Sequence, residues 1–370
     1  MRRPADAGTT IVVKIGSSSL AGTGSGIDGP AIAGIADQVA ELRIEGFSVV
    51  LVTSGAVAAG LPLLEMSERP RDVPGLQVAA AVGQGRLMEA YAGAFATRSL
   101  VVGQVLLTRD VLAERGQYLH AREALERMIA LGVVPVVNEN DTVVVDELKL
   151  GDNDRLAAIV CHLVGAGMLV ILTDTEGLFT DDPRLVDDAE LLQAVRHTDV
   201  VLDELRRKGS RGVLGSGGVA TKVAAAQMAA YGGTPTVIAS ATVPRGALAA
   251  AHGEDIGTWV DPRPVRLAAR KAWIAFGMAA AGTIHIDRGA VRALAEQGRS
   301  LLPAGVSAVD GSFDAAEAVE IVGPDRALVA KGVARMSASE LRTVMGSHSS
   351  VAGGEAVHRD DLVVLVEESA

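Results

Sequence analysis

An alternation restricts the fold of this chain more than any other feature. Short apolar runs rich in β-branched residues recur between longer segments of helical period. Ile11–Ile15, Phe47–Val52, Val101–Leu107, Val133–Val137, Met168–Thr173 and Pro235–Ala239 read as strands. Between them, Ile32, Ile35, Val39 and Leu42 recur at helical spacing and Gly46 closes the segment. Leu76–Ala96 reads as a long helix of small residues and Gln117–Leu131 as another. A strand apolar on both faces has to be covered on both. Such strands alternating with helices predict an α/β fold, a three-layer αβα sandwich around a mainly parallel sheet. Pro135 lacks a ladder donor, which predicts an edge or bulged position for its strand.

Ligands of such sheets bind beyond the carboxyl ends of the strands. Four segments fall there: Gly16–Ser19, Thr53–Ala56, Asn138–Asp141 and Thr173–Gly177. All are rich in Gly, Asn, Ser or Asp, as a site for a polar ligand requires.

The rhythm stops near Asp261-Pro262-Arg263-Pro264, where two prolines stiffen the chain. A length of 370 residues suits two domains, possibly three. The expected division is an α/β domain over 1–261, a linker over 262–278 and a small β-rich domain over 279–370. The last carries short strands at Gly282–Ile286, Ala318–Ile321, Ala327–Val333 and Leu362–Val366, around one helix at Ala290–Gln297.

Composition excludes several functions. With 49% apolar and 21% charged residues the chain is globular, not disordered. A net charge of -11 opposes non-specific binding to nucleic acid or anionic membrane. The single cysteine, Cys161, excludes an internal disulfide framework and lies on an apolar helical segment, so it is expected in the core. The histidines show no metal-ligand spacing. No apolar stretch of signal-peptide length follows Arg2 and Arg3, and no run of about 18 apolar residues occurs. A cytoplasmic protein without a membrane segment is expected, and the sequon at Asn140-Asp141-Thr142 then carries no meaning.

Among phosphate-binding patterns, the G-x-x-x-x-G-K-[ST] loop is absent. Gly24–Gly29 spells G-x-G-x-x-G but lies well after its strand, so a Gly-rich surface loop is the better reading. Gly215-Ser216-Gly217-Gly218 directly precedes a helical run containing Lys222. Either an anion cradle of backbone N–H groups or a flexible loop before a capped helix fits that pattern. Lys14 interrupts an apolar strand and is costly there unless paired or at a solvated edge. The adjoining Gly16-Ser17-Ser18-Ser19 favours a ligand. Asn138-Glu139-Asn140-Asp141 and Gly151-Asp152-Asn153-Asp154 flank an extended segment, Thr142–Leu150, that resembles a hairpin. Each loop alone is ordinary turn chemistry, and Asp154 suits a helix cap. Two together suggest a site that binds an amine or positions lysines. No G-x-S-x-G supports a serine nucleophile.

Taken in order, Val12–Ser18, Val52–Gly60, Asn138–Asp141, Gly151–Asp154, Leu172–Asp174 and Gly215–Gly218 with Thr221-Lys222 resemble the glutamate 5-kinases (gamma-glutamyl kinases) of the amino-acid kinase superfamily. Leu301–Val306 and Val357–Asp361 resemble that family's C-terminal PUA domain. The resemblance implies ATP-dependent phosphorylation of the side-chain carboxylate of L-glutamate, the first step of proline biosynthesis, with Mg2+ on the ATP. It implies that Lys14 and Lys222 hold phosphates and that Asp154 orients them. Gly16, Ser17, Thr173, Asp174, Ser216, Gly217, Gly218, Val219, Ala220 and Thr221 would line the ATP site. Ser54, Asp141 and Asn153 would bind glutamate. It further implies inhibition by proline and a homo-oligomer, dimer or tetramer. PUA domains elsewhere bind RNA, but residues 279–370 hold eight Lys/Arg against thirteen Asp/Glu, a poor footprint for it. Two rivals remain: an amino-acid kinase with another acceptor, and an RNA-binding or regulatory sensor built on the same fold.

Overall fold

A computed structural model of the chain describes residues 2–20, 26–108, 114–143, 153–209, 218–264, 267–278, 280–347 and 354–366. These form two compact units, Met1–Val111 with Gly116–Arg266 and Leu112–Arg115 with Leu267–Ala370.

The first unit is built on an eight-stranded sheet. Its strands are β1 (Thr10–Ile15), β2 (Ser48–Val52), β3 (Val102–Leu107), β4 (Val134–Glu139), β5 (Met168–Thr173), β6 (Ala194–Arg196), β7 (Thr236–Ser240) and β8 (Thr258–Asp261). They run in the order β3-β4-β2-β1-β5-β7-β8-β6. Every neighbouring pair is parallel except β7 and β8. The mainly parallel α/β sheet expected from the alternation is therefore present. Helices α1 (Gly29–Ile44), α2 (Ala56–Gly60), α3 (Val73–Ala96), α4 (Arg115–Ala130), α5 (Asn153–Val164), α6 (Val200–Gly209), α7 (Val219–Tyr231) and α8 (Gly246–Ala251) connect and cover it.

Strand β1 lies at the centre, with β2 on one side and β5 on the other. Its alternation sorts its side chains. Ile11, Val13 and Ile15 join one core with Ile32, Ile35, Val39 and Leu42 of α1 and Leu87, Tyr91 and Phe95 of α3. Each such fully buried side chain stabilises the unit by roughly 1.5–3 kcal/mol. The opposite face of β1 and β5 is covered by α5 and α7, which pack on each other. Lys14 faces that side. Asp28 caps α1 by accepting from the Ala31 N–H at 3.1 Å, and Asp72 caps α3 by accepting from the Gly75 N–H at 2.8 Å. The second cap starts α3 before the expected Leu76, because Pro74 and Gly75 hide its first turn from the apolar pattern.

One alternative is excluded here and one expectation corrected. Lys14 is not at a solvated sheet edge: it is opposite Val52 and Ile171 and 3% exposed, as the ligand reading of its strand requires. Strand β4 is not an edge either, since it pairs with both β3 and β2. The Val134 N–H donates to Val101 O beside β3, so by alternation a donor at Pro135 would face β2. The β2–β4 ladder begins only at Leu51 opposite Val136, one residue later, and the missing donor costs nothing there. Cys161 is buried in α5, as expected.

The second unit holds a five-stranded sheet in the order β10-β9-β11-β12-β13. The strands are β9 (Ala280–Ile286), β10 (Val306–Gly311), β11 (Ala318–Val322), β12 (Leu328–Ala334) and β13 (Val357–Val364). Helices α10 (Arg288–Ala295) and α11 (Ala338–Val344) accompany them, and the core includes Ile284, Leu294, Val319, Ile321, Leu341 and Val357. Strand β10 and α11 were not expected: Asp310-Gly311 breaks the apolar run of β10, and α11 spans only two turns. Part of the segment expected as linker belongs to this unit, with α9 (Ala269–Ala272) and a π-helical turn at Trp273–Gly277.

Candidate active site

The carboxyl ends of β1, β2, β4 and β5 open into one cleft. Among its lining residues are Lys14, Gly16, Ser17, Ser54, Asp141, Asn153, Thr173, Asp174 and Lys222, all singled out in the sequence.

One end is built on charge. Lys14 leaves the central strand, Asp154 sits in the first turn of α5, and Lys222 in the first turn of α7. The Lys14 Nζ lies 2.5 Å from Asp154 Oδ1 and the Lys222 Nζ 3.6 Å from Asp154 Oδ2. The Thr221 hydroxyl donates to Asp154 Oδ2 at 2.7 Å. Asp154 is 1% exposed. Burial alone would push its carboxyl up, but the ammonium groups of Lys14 and Lys222, with the hydrogen bonds from Lys14 and Thr221, hold it below the usual carboxylate range. A carboxylate near a helix N-terminus is favoured further by the backbone dipole. Lys222 is pushed down, first by burial and then by Lys14, with Asp154 opposing. Asp154 is thus not the helix cap that its loop suggested, but the shared counter-ion of two lysines.

Beside this end, Ser17–Ser19 form a 3-10 turn directly after β1, and the Thr173 hydroxyl donates to Asp174 Oδ1 at 3.0 Å. Gly218 caps α7, whose first turn holds Val219, Ala220 and Thr221. Of these four, Thr221 hydrogen-bonds the Asp154 carboxylate. Ser216, Gly217 and the remainder of the hairpin-like segment beyond Val143 lie outside the described residues; Asp141–Val143 form a 3-10 turn.

The other end is built on neutral hydrogen bonds. The Asn153 side-chain amide donates to Ser54 Oγ at 2.9 Å and to Asn138 Oδ1 at 3.1 Å. The Glu139 N–H donates to Asn138 Oδ1 at 3.0 Å and to Asn153 Oδ1 at 3.3 Å. Asn138 Nδ2 donates to Gln84 Oε1 on α3 at 2.8 Å. The Thr53 hydroxyl, beside Ser54, shares a hydrogen bond of 2.8 Å with the buried Tyr91 hydroxyl, also on α3. Asp141 stands next to this network. Burial pushes its carboxyl up to about 6, against the pull of Arg69.

Helix α3 can carry this second layer because it approaches α2 closely. A Cβ on Gly83 would stand 1.9 Å from Ala56 O, so only glycine fits there. Gly55, at φ 103°, makes the left-handed turn that delivers Ser54 to the cleft and starts α2. Sequence reading passed over Gln84, Tyr91 and Arg69. Nothing about Gln84 or Tyr91 distinguishes them within a long helix. Arg69 lies in the loop before α3, outside the Val52–Gly60 motif that precedes it.

A cleft with paired ammonium groups at one end and a hydrogen-bonding pocket with its own carboxylate at the other defines a phosphotransferase suited to an anionic acceptor. Residues 9–240 match the model of the amino acid kinase family, and residues 282–352 match that of the PUA domain. Glutamate 5-kinases from Geobacter sp. (strain M21) and Thioalkalivibrio sulfidiphilus (strain HL-EbGR7) are 46% and 47% identical, over 96% of this chain and 97% and 96% of theirs. That of Marinomonas sp. (strain MWYL1) is 44% identical over 96% of this chain and 97% of its own. The chain belongs to the amino acid kinase family, within its glutamate 5-kinase branch. Among the described residues, no helix is long and apolar enough to cross a membrane.

Proposed function

We propose that the cleft transfers the γ-phosphoryl group of ATP to the side-chain carboxylate of L-glutamate, giving L-glutamyl 5-phosphate and ADP, the first step of proline biosynthesis. The observation that carries this reading is the buried Asp154 carboxylate shared by Lys14 and Lys222, two lysines that line one cleft with Ser54, Asp141 and Asn153.

A glutamate side chain is ionised at neutral pH, so its oxygen is already a nucleophile and no general base is needed. That oxygen bonds to the γ-phosphorus as the bond to the β–γ bridging oxygen breaks. The electron pair leaves with ADP, and no proton moves. The obstacle is bringing two anions together, so the work of the site is positioning and charge neutralisation. Lys14 and Lys222 meet the phosphates. Asp154 holds both ammonium groups in place and offsets their mutual repulsion. Gly16, Ser17, Thr173 and Asp174, with Ser216, Gly217, Gly218, Val219, Ala220 and Thr221, form the nucleotide side. Asp141 takes the substrate ammonium, while Ser54 and Asn153 hydrogen-bond its carboxylates.

Among the described residues, no group of three or more His, Cys, Asp or Glu side chains is placed to hold a metal. Asp174 lines the cleft and is the carboxylate that would share a Mg2+ brought in with ATP, which would neutralise phosphate charge there. Proline retains an α-carboxylate and an amine, and we assign its inhibitory binding to the Asp141 end. The proposed setting is a cytoplasmic homo-oligomer, with residues 1–261 as the catalytic domain and 279–370 as an accessory domain in a structural or regulatory role rather than RNA binding.

The test is ATP-dependent hydroxamate formation with hydroxylamine, which traps acyl phosphates. L-glutamate, N-acetylglutamate and aspartate are run in parallel, with UMP scored by nucleoside diphosphate. A signal with L-glutamate alone is expected. A signal with another acceptor overturns the substrate assignment, and none with any acceptor in folded, ATP-binding protein overturns the reaction.

A further inference from the structure

Glutamate carries three charges. Transfer places its side-chain carboxylate at the lysine end, and Asp141 takes its ammonium. The α-carboxylate sits on the same carbon as the ammonium, so it must come to rest beside Asp141. Two carboxylates at close range repel unless a cation stands with them.

Among the described residues, three cationic side chains line the cleft: Lys14, Lys222 and Arg69. Lys14 and Lys222 are both committed to Asp154. Arg69 lies at the opposite end, where its charge acts on Asp141. It is exposed, and among the described residues it has no ion-pair partner. Its loop, Ser67-Glu68-Arg69-Pro70, buries no residue that would explain an arginine there, yet its end is fixed by the Asp72 cap of α3. A guanidinium fork matches a carboxylate with two parallel hydrogen bonds.

We propose that Arg69 receives the α-carboxylate of the acceptor and so selects an amino acid over an acceptor that has the same ammonium and side-chain carboxylate but lacks that group. The assignment rests on the reading of the cleft given above. Asp141 and Arg69 then form a pair of opposite charges that remains unsaturated until a zwitterion enters.

The test uses the full-length chain and the hydroxamate assay. Arg69→Gln raises the KM for L-glutamate by about 10- to 100-fold, the worth of one charged hydrogen-bonded contact. The KM for ATP stays at the wild-type value. Arg69→Lys restores part of the loss. The inhibition constant of 4-aminobutyrate, which is glutamate without its α-carboxylate, is the same in wild type and Arg69→Gln. An unchanged glutamate KM in folded Arg69→Gln overturns the proposal. So does a parallel weakening of 4-aminobutyrate, which marks a structural role, or a raised ATP KM, which places Arg69 on the phosphates. Failure of the wild-type chain to form glutamyl hydroxamate is a separate result, and it removes the parent reading instead.

Discussion

At one end of the cleft, Lys14 and Lys222 close on a carboxylate that is itself 1% exposed. At the other, Asp141 is only partly buried and Arg69 is exposed without an ion-pair partner among the described residues. The first end is finished before any ligand arrives: its groups sit on a central strand and the first turns of two packed helices, and Asp154 satisfies both ammonium groups. On the proposed roles the second is finished by the ligand: burial holds the Asp141 carboxyl up to about 6, and an ammonium beside it would bring it down. The difference teaches where each kind of energy is used. Preorganised charge lowers the barrier to transfer, whereas uncommitted charge selects what binds. Damage at the lysine end should therefore appear in kcat and damage at the acceptor end in KM.

The largest effect is expected at the lysine end. Lys222→Ala should lower kcat on the order of a thousandfold with the fold intact by circular dichroism, by analogy with loss of one preorganised donor to a developing charge. Its glutamate KM should change little. Loss confined to KM would break the comparison.

At the acceptor end the effect depends on pH. Asp141 must be ionised to meet an ammonium, so kcat/KM for glutamate should fall about tenfold per unit as pH drops below about 6. Stability should move the other way. A carboxyl raised in the folded state stabilises the fold below its unfolded value of 3.8, and that contribution is lost as pH rises through about 6. Asp141→Asn should therefore melt higher than wild type at pH 7.5 and equal to it near pH 4, while binding glutamate poorly. A variant less stable at pH 7.5 would contradict the strain assigned to this end.

The smallest effect sharpens the neutral network. Gln84→Leu removes the acceptor of the Asn138 amide. A buried hydrogen bond contributes about 0.5–1.5 kcal/mol net, so the glutamate KM should rise about 2- to 10-fold. The ATP KM should stay constant, and an equal rise in both would show that α3 supports the whole cleft.

Much of this site was legible in the sequence because parallel strands bring their ends together. Gly16–Ser19, Thr53–Ala56, Asn138–Asp141 and Thr173–Gly177 could be placed in one region without any contact being known. A lysine inside an apolar strand did not by itself mark the site. Lys331 interrupts an apolar strand as Lys14 does, is 6% exposed, and pairs on both sides within its sheet. Its Nζ donates to Ala275 O at 3.2 Å and to Met278 O. Backbone carbonyls satisfy it inside the second unit, whereas Lys14 meets a carboxylate at a cleft. The strand pattern is common to both, and the Gly16–Ser19 run beside Lys14, together with its partner, separates them. Arg69 and Gln84 stayed hidden for a different reason. Loop and helix positions carry no period-2 register that would say which side chains converge on a site.

The most direct test follows an oxygen atom. L-glutamate labelled with 18O in both oxygens of its side-chain carboxylate is turned over with unlabelled ATP and hydroxylamine. If the carboxylate attacks the γ-phosphorus, hydroxylamine then expels phosphate with the bridging oxygen attached, and the released phosphate carries one 18O. Phosphate free of the label would mean that water, not glutamate, receives the phosphoryl group, and would contradict the account.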